Sequence, residues 1–146
     1  MSTAKKREQL TGSMFRELRR MVANSVLFNL RMADTLGVNP TDLQFVNLLG
    51  IYGPLTPGRL AELSRLTTGG VTVVLNRLEK AGVVKREPNP DDRRSSIVSV
   101  SPKFMRRAQA AYAKMAETTN SLLAQFSDKE LEVVAAFLKK ANDTRP

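Results

Sequence analysis

The chain of 146 residues carries 23 Lys/Arg against 14 Asp/Glu, a formal charge of +9, and contains neither cysteine nor histidine. That length suffices for one compact domain, or for a small domain with dimerisation helices attached, and the positive balance favours an acidic partner. The missing thiols exclude disulfides, thiolate metal sites and thiol redox sensing, and the missing imidazoles remove the commonest general base and metal ligand; an enzyme is therefore not expected, and neither is a metal or cofactor.

Residues 1–8, MSTAKKRE, are polar and charged. They lack the apolar core of a secretion signal and are expected to fray. No apolar run long enough to span a bilayer occurs anywhere, so a cytoplasmic protein without a membrane segment is expected. From Gln9 to about Leu36 the apolar residues Leu10, Met14, Leu18, Met21, Val22, Val26 and Leu30 recur at spacings of three and four, with Phe15 and Phe28 widening the face. This is one long amphipathic helix with Gly37 as its stop. It is too long to be sheltered by a small domain alone and needs a partner helix, from this chain or another. Thr41-Asp42-Leu43-Gln44 has the form of a capping box and predicts that a second helix starts at Thr41, with Leu43, Phe45, Val46 and Leu49 facing inward. Gly50 to Pro54 interrupts the pattern.

Thr56-Pro57 is a cap followed by a proline at the first helical position, and the short helix it opens ends near Ser64 with Leu60, Ala61 and Leu63 on its inner side. Arg65-Leu66-Thr67 is the connection. Thr67 or Thr68 caps the next helix, which runs to about Ala81 with Gly82 as its terminal glycine. Val71, Val74, Leu75 and Leu78 form its buried stripe. The opposite face holds Gly69, Thr72, Val73, Asn76 and Lys80, with Arg77 beside it. A helix face meant only for solvent is rich in Glu and Lys. This one is short, uncharged and hydrogen-bonding at its start, then cationic. Such a face suits a nucleic-acid groove, where short groups reach base edges and Arg77 and Lys80 reach phosphates; Val73 could pack on a thymine methyl. Gly69 and Gly70 cost less in a first turn than deep in a helix, and they let the backbone approach a duplex closely.

Val83 to Glu87 reads as a strand and Ser95 to Val100 as its partner, joined by the turn-forming Pro88-Asn89-Pro90-Asp91-Asp92-Arg93-Arg94. Arginines on a projecting tip can enter a narrow minor groove, whose negative potential attracts them. Asp91 and Asp92 are adjacent on a loop with no other acid, base or ligand near them, which argues against a catalytic pair. Ser101-Pro102 starts another helix, running to about Gln125, whose Phe104, Ala108, Ala111, Met115, Leu122 and Phe126 keep near-heptad spacing. Ser127-Asp128-Lys129-Glu130 is a capping box for a last helix to about Ala141 that presents Leu131, Val134, Phe137 and Leu138. The fold class expected is mainly α with a small β-ribbon (α+β): a winged helix-turn-helix over residues 38–101, with residues 1–37 and 102–146 as a helical dimerisation region.

The stretch LTPGRLAELSRLTTGGVTVVLNRLEKAGVVKREPNPDDRRS, closed by Val100-Ser101-Pro102-Lys103, resembles the MarR family of bacterial transcription regulators. The order of helices outside it fits as well, so the likeness spans nearly the whole chain. The resemblance implies a homodimer with interlocked terminal helices that binds pseudo-palindromic double-stranded DNA as a regulator of transcription, commonly a repressor. It implies that the recognition helix runs from Thr68 to Ala81. It also implies an Asp-x-Arg wing motif on Asp92 and Arg94, with Arg93 between them, in which Asp92 positions an arginine and Arg94 probes the minor groove. The DNA-binding residues expected are therefore Thr67, Thr68, Gly69, Gly70, Thr72, Val73, Asn76, Arg77, Lys80, Asp92, Arg93 and Arg94. Val73 stands where many relatives carry a basic residue, and Phe104 where a glycine is usual. Family members often bind small aromatic or phenolic anions in a crevice between the dimer helices and the DNA-binding lobe; Arg16, Arg31, Phe45 and Tyr52 are the candidates here, although Arg16 with Arg19 and Arg20 equally fits a solvated helix face. The reading from a different class is a winged-helix module that docks on protein and does not bind DNA.

Overall fold

The computed structural model describes residues 3–144. Six helices and one hairpin follow in the order α1 (Thr3–Leu36), α2 (Pro40–Tyr52), α3 (Pro57–Ser64), α4 (Thr68–Lys80), β1 (Val84–Pro88), β2 (Ser96–Val100), α5 (Pro102–Leu123) and α6 (Asp128–Asp143). Helix α1 starts at Thr3, so residues 3–8 are helical where the polar composition predicted fraying. The reason is local: Ala, Lys, Arg, Glu and Gln are good helix formers, and no glycine or proline interrupts them. Met1 and Ser2 of the stretch expected to fray lie outside the described residues. Among the described residues, no helix is long and apolar enough to cross a membrane.

The chain forms two compact units, one ending at Ala108 and one beginning at Gln109, inside α5. The core of the first gathers the end of α1 (Ala33, Leu36), the inner side of α2 (Leu43, Phe45, Val46, Leu49), Leu60 of α3, and Val71, Val74, Leu75 and Leu78 of α4. Val83, Val84, Val98, Phe104 and Ala108 close it. Each large side chain fully withdrawn from water in this way stabilises by about 1.5–3 kcal/mol. Helix α2 is the hub, touching α1, α3 and β2. It is capped by Asn39, whose Oδ1 accepts the Asp42 N–H at 2.8 Å, with Pro40 at the first position. This corrects the start expected at Thr41: Asn-Pro here uses the same cap-plus-proline device as Thr56-Pro57. Helix α2 also continues through Gly50 to Tyr52; a glycine keeps its N–H and costs a helix only about 1 kcal/mol.

The hairpin pairs Val84 with Val100 and Pro88 with Ser96, antiparallel. Leu55 adds a further bridge to Val98, with backbone bonds of 3.0 and 2.8 Å, which ties the segment before α3 to the ribbon. The start of α5 is tied back as well: Ser101 Oγ donates to the Gly82 carbonyl at 2.7 Å, and Arg107 Nη2 donates to the Leu36 carbonyl at the end of α1 at 3.1 Å. A cation at that terminus satisfies an orphan carbonyl and complements the helix dipole.

In the second unit, α6 opens with the expected capping box: Glu130 Oε2 accepts from the Ser127 N–H at 2.8 Å and from its hydroxyl at 2.7 Å. No described residue from Gln109 onward is fully buried. Met115, Leu122, Phe126, Val134, Phe137 and Leu138 remain exposed, and so do Leu10, Met14, Phe15, Met21, Val22, Val26, Leu27 and Leu30 along α1 of the first unit.

Candidate nucleic-acid interface

Helix α3 ends where Arg65 adopts a left-handed conformation (φ +57°), and two residues later Thr67 caps α4 by accepting the Gly70 N–H at 3.1 Å. A Cβ at Gly70 would stand 3.3 Å from Thr67 Oγ1, so a larger residue there would have to shift the capping side chain slightly. Gly69 is different: nothing lies within 4 Å of where its Cβ would be, so the fold itself does not demand glycine there. The buried stripe of α4 is the predicted one, Val71, Val74, Leu75 and Leu78. It turns Thr68, Gly69, Thr72, Val73, Asn76, Arg77 and Lys80 outward, with Val73 61% exposed.

The polar groups on this face are partly committed. The Thr72 hydroxyl donates to the Thr68 carbonyl at 2.9 Å, which leaves its oxygen lone pairs outward as an acceptor. Asn76 Oδ1 accepts from Arg86 Nη2 of β1 at 2.6 Å. Arg86 Nε is buried 3.2 Å from Glu79 Oε2, an ion pair without hydrogen-bond alignment. Arg77 has a partner that the sequence reading did not include. Its Nε donates to Asp42 Oδ2 at 2.9 Å and its Nη2 to Asp42 Oδ1 at 2.5 Å, bridging α4 to α2. Asp42 is only 4% exposed. Its hydrogen bonds, and then its charge, raise the Arg77 pKa still further. Arg77 thus holds α4 to the core with two of its five donors spent, and Lys80 is exposed at the helix end.

The hairpin tip is built by its own side chains. Asn89 Oδ1 accepts the Asp91 N–H at 3.0 Å, its Nδ2 donates to Ser95 Oγ at 2.8 Å, and Asp92 Oδ1 accepts the Arg94 N–H at 3.0 Å. The same Asp92 oxygen lies 3.8 Å from Arg94 Nε, and the Arg94 side chain is 94% exposed. Arg93 is exposed beside it. A cleft of about 450 Å³ separates this tip from the start of α3, with Thr56 and Pro57 on one wall and Asp92 and Arg94 on the other. Of the residues expected on α4 and on the tip, all but the half-buried Gly70 are exposed to solvent.

The four effector candidates differ in exposure. Arg16 and Arg31 are exposed on α1, Tyr52 is exposed at the end of α2, and Phe45 is buried. Phe45 lines a separate groove of about 320 Å³ between α2 and α3, with Thr41, Gln44, Leu48, Leu63, Ser64 and Leu66. Sequence reasoning missed Asp42, Glu79 and Arg86. Each acts through a partner on another element, and no local spacing signals that.

The MarR family sequence profile matches residues 36–95, the stretch from the end of α1 to the hairpin tip. The chain is 35% identical over 143 residues to YcgE, an HTH-type transcriptional regulator of Bacillus subtilis (strain 168), covering 98% of this chain and 93% of that protein. Among solved structures it resembles a mutant of MepR from a multidrug resistant S. aureus clinical isolate, with a TM-score of 0.73 at 19% identity over 89% of this chain and 96% of the other. It also resembles Streptococcus pneumoniae FabT, solved in complex with DNA, with a TM-score of 0.64 at 19% identity over 90% and 94% of the two chains.

Proposed function

This chain belongs to the MarR family of transcriptional regulators, and from that premise we propose that it binds pseudo-palindromic double-stranded DNA as a homodimer and represses transcription. The observation that carries the reading is the outward face of α4, accessible, short and uncharged at its start and cationic toward its end, together with a hairpin tip that offers Arg93 and Arg94 to solvent. Thr67, Thr68, Gly69, Gly70, Thr72, Val73 and Asn76 approach base edges and backbone in the major groove, and Lys80 meets a phosphate. Arg94, oriented by Asp92, enters the flanking minor groove with Arg93. Arg77 contributes chiefly by fixing the angle of α4. The DNA complex of FabT supports the same use of a similar fold. The exposed apolar residues of α1, and those of the second unit, support burial against a second copy. Release by a small aromatic or phenolic anion, by favouring a lobe spacing that no longer fits the operator, follows from the family, and the protein acts in the cytoplasm.

The test is selection of duplexes from a random pool, followed by binding titrations of the selected site at rising salt. An inverted repeat is expected. Affinity should fall about 10³- to 10⁵-fold between 50 and 200 mM salt if 6–10 phosphates are contacted. Absence of sequence enrichment together with a flat salt response would instead favour the protein-docking module. Repression is checked by a reporter driven by the selected site, whose output should rise when the protein is deleted.

A further inference from the structure

Asn76 sits in the middle of the exposed α4 face, and its amide is not free to turn. Arg86 Nη2 is 2.6 Å from its Oδ1. A guanidinium has five donors and no acceptor, so the oxygen of the amide must face it. The orientation that is normally ambiguous for an asparagine is therefore fixed by chemistry. Arg86 is itself held, with Nε 3.2 Å from the Glu79 carboxylate one helical turn further along the same helix. Glu79, Arg86 and Asn76 form a relay from the end of α4, through the first strand of the hairpin, back to the middle of α4.

An asparagine that reads adenine uses both ends of its amide: the oxygen accepts from N6 and the nitrogen donates to N7. With Oδ1 turned to Arg86, Asn76 presents its Nδ2 hydrogens. Guanine offers N7 and O6 side by side in the major groove, two acceptors for those two hydrogens, whereas adenine offers a donor at the second place. We infer that Arg86 sets the polarity of Asn76, so that this position of the recognition helix selects guanine and discriminates against adenine. Arg86 is thus a positioning residue that determines specificity without touching a base. The inference rests on the reading of α4 as the base-contacting helix.

The experiment is selection from a random duplex pool with the full-length wild-type protein and its Asn76→Ala, Asn76→Asp and Arg86→Leu variants. Asn76→Ala identifies the position by rendering it indifferent, once per half-site. The wild type is expected to show guanine there. Arg86→Leu frees Oδ1 and should lower the guanine-to-adenine ratio roughly tenfold at that position alone. Asn76→Asp keeps an acceptor for Arg86, so folding is preserved, but it removes the donor; guanine should be lost and cytosine, whose N4 donates, should gain. Adenine at that position in the wild type would overturn the inference. So would an unchanged preference in folded Arg86→Leu, retention of guanine by Asn76→Asp, or no position affected by Asn76→Ala. A wild type that enriches no sequence would remove both this inference and the role of α4 on which it rests.

Discussion

Arg77 and Lys80 are both cations near the end of α4, yet their surroundings give them different work. The Arg77 fork closes on Asp42, which is nearly buried, and the Arg77 side chain stays 47% exposed. Removing the arginine leaves a buried carboxylate without its counter-charge, which is the expensive way to break such a pair. Arg77→Ala is therefore expected to lower the melting temperature by several degrees, read by circular dichroism. Replacing both partners with apolar residues of similar size should recover most of that loss, because neither charge is then stranded. Lys80→Ala should leave the melting temperature in place and reduce the salt slope of DNA binding by about one, in every sequence alike. Equal melting curves for the Arg77 and Lys80 variants would refute the division. The sequence showed the outward helical position of Arg77 but not its partner. Asp42 is 35 residues away, and its acidity had an ordinary local explanation as a first-turn residue.

At the scale of the element, the legible features are those that a few neighbouring residues decide. The α4 stripe, a threonine cap at 67 or 68, the proline after Thr56 and the Ser127–Glu130 box all follow from spacing within one turn. The misplaced start of α2 was a competition between two local signals, and Asn39 with Pro40 won over Thr41 with Gln44. Asn39→Ala should cost about 1 kcal/mol of stability, a typical cap loss, while Thr41→Ala should cost far less. Denaturant midpoints at constant slope distinguish the two. Gly82 has φ +70° with open space around its Cβ position, so Gly82→Ala tests backbone strain without a clash and should destabilise by about 1 kcal/mol. The cap of α6 carries a pH signature. The Ser127 hydroxyl and backbone N–H hold the Glu130 carboxyl below its ordinary 4.5. A depressed carboxylate contributes stability that is present above its unfolded value and is lost as pH falls through its lowered folded value. Helicity should therefore drop on the acid side in the wild type. In Glu130→Gln that component of the pH dependence should vanish, since glutamine keeps the box without titrating. The Leu55–Val98 bridge was invisible in the sequence, because a single-residue pairing leaves no periodicity to read.

At the scale of the whole molecule, the apolar residues that these two units leave in water are what require explanation. Leu10, Met14, Phe15, Met21, Val22, Val26, Leu27 and Leu30 are all substantially exposed along α1, and only Ala33 and Leu36 of that helix reach the core. Leaving that many large side chains wet forfeits about 1–2 kcal/mol for each one that a second copy could cover in part. A second copy also supplies what DNA of two-fold symmetry needs: two α4 helices spaced by about one helical turn, 34–36 Å. Sedimentation should therefore give the mass of two chains at micromolar concentration, and the melting temperature should rise with protein concentration, as it must when folding and association are linked. A double substitution of α1, Val22→Asp with Val26→Asp, places like charges on that exposed apolar face without altering α4 or the hairpin. It should yield monomers that bind a full site no better than a half-site, with a salt slope about half that of the wild type. Moving the half-sites apart by about half a turn should weaken the wild type and leave the monomeric variant indifferent, because only a dimer fixes the phase between its two recognition helices. A wild-type chain that sediments as a folded monomer, or that tolerates the half-turn insertion, would mean that those faces are covered by something other than a second copy.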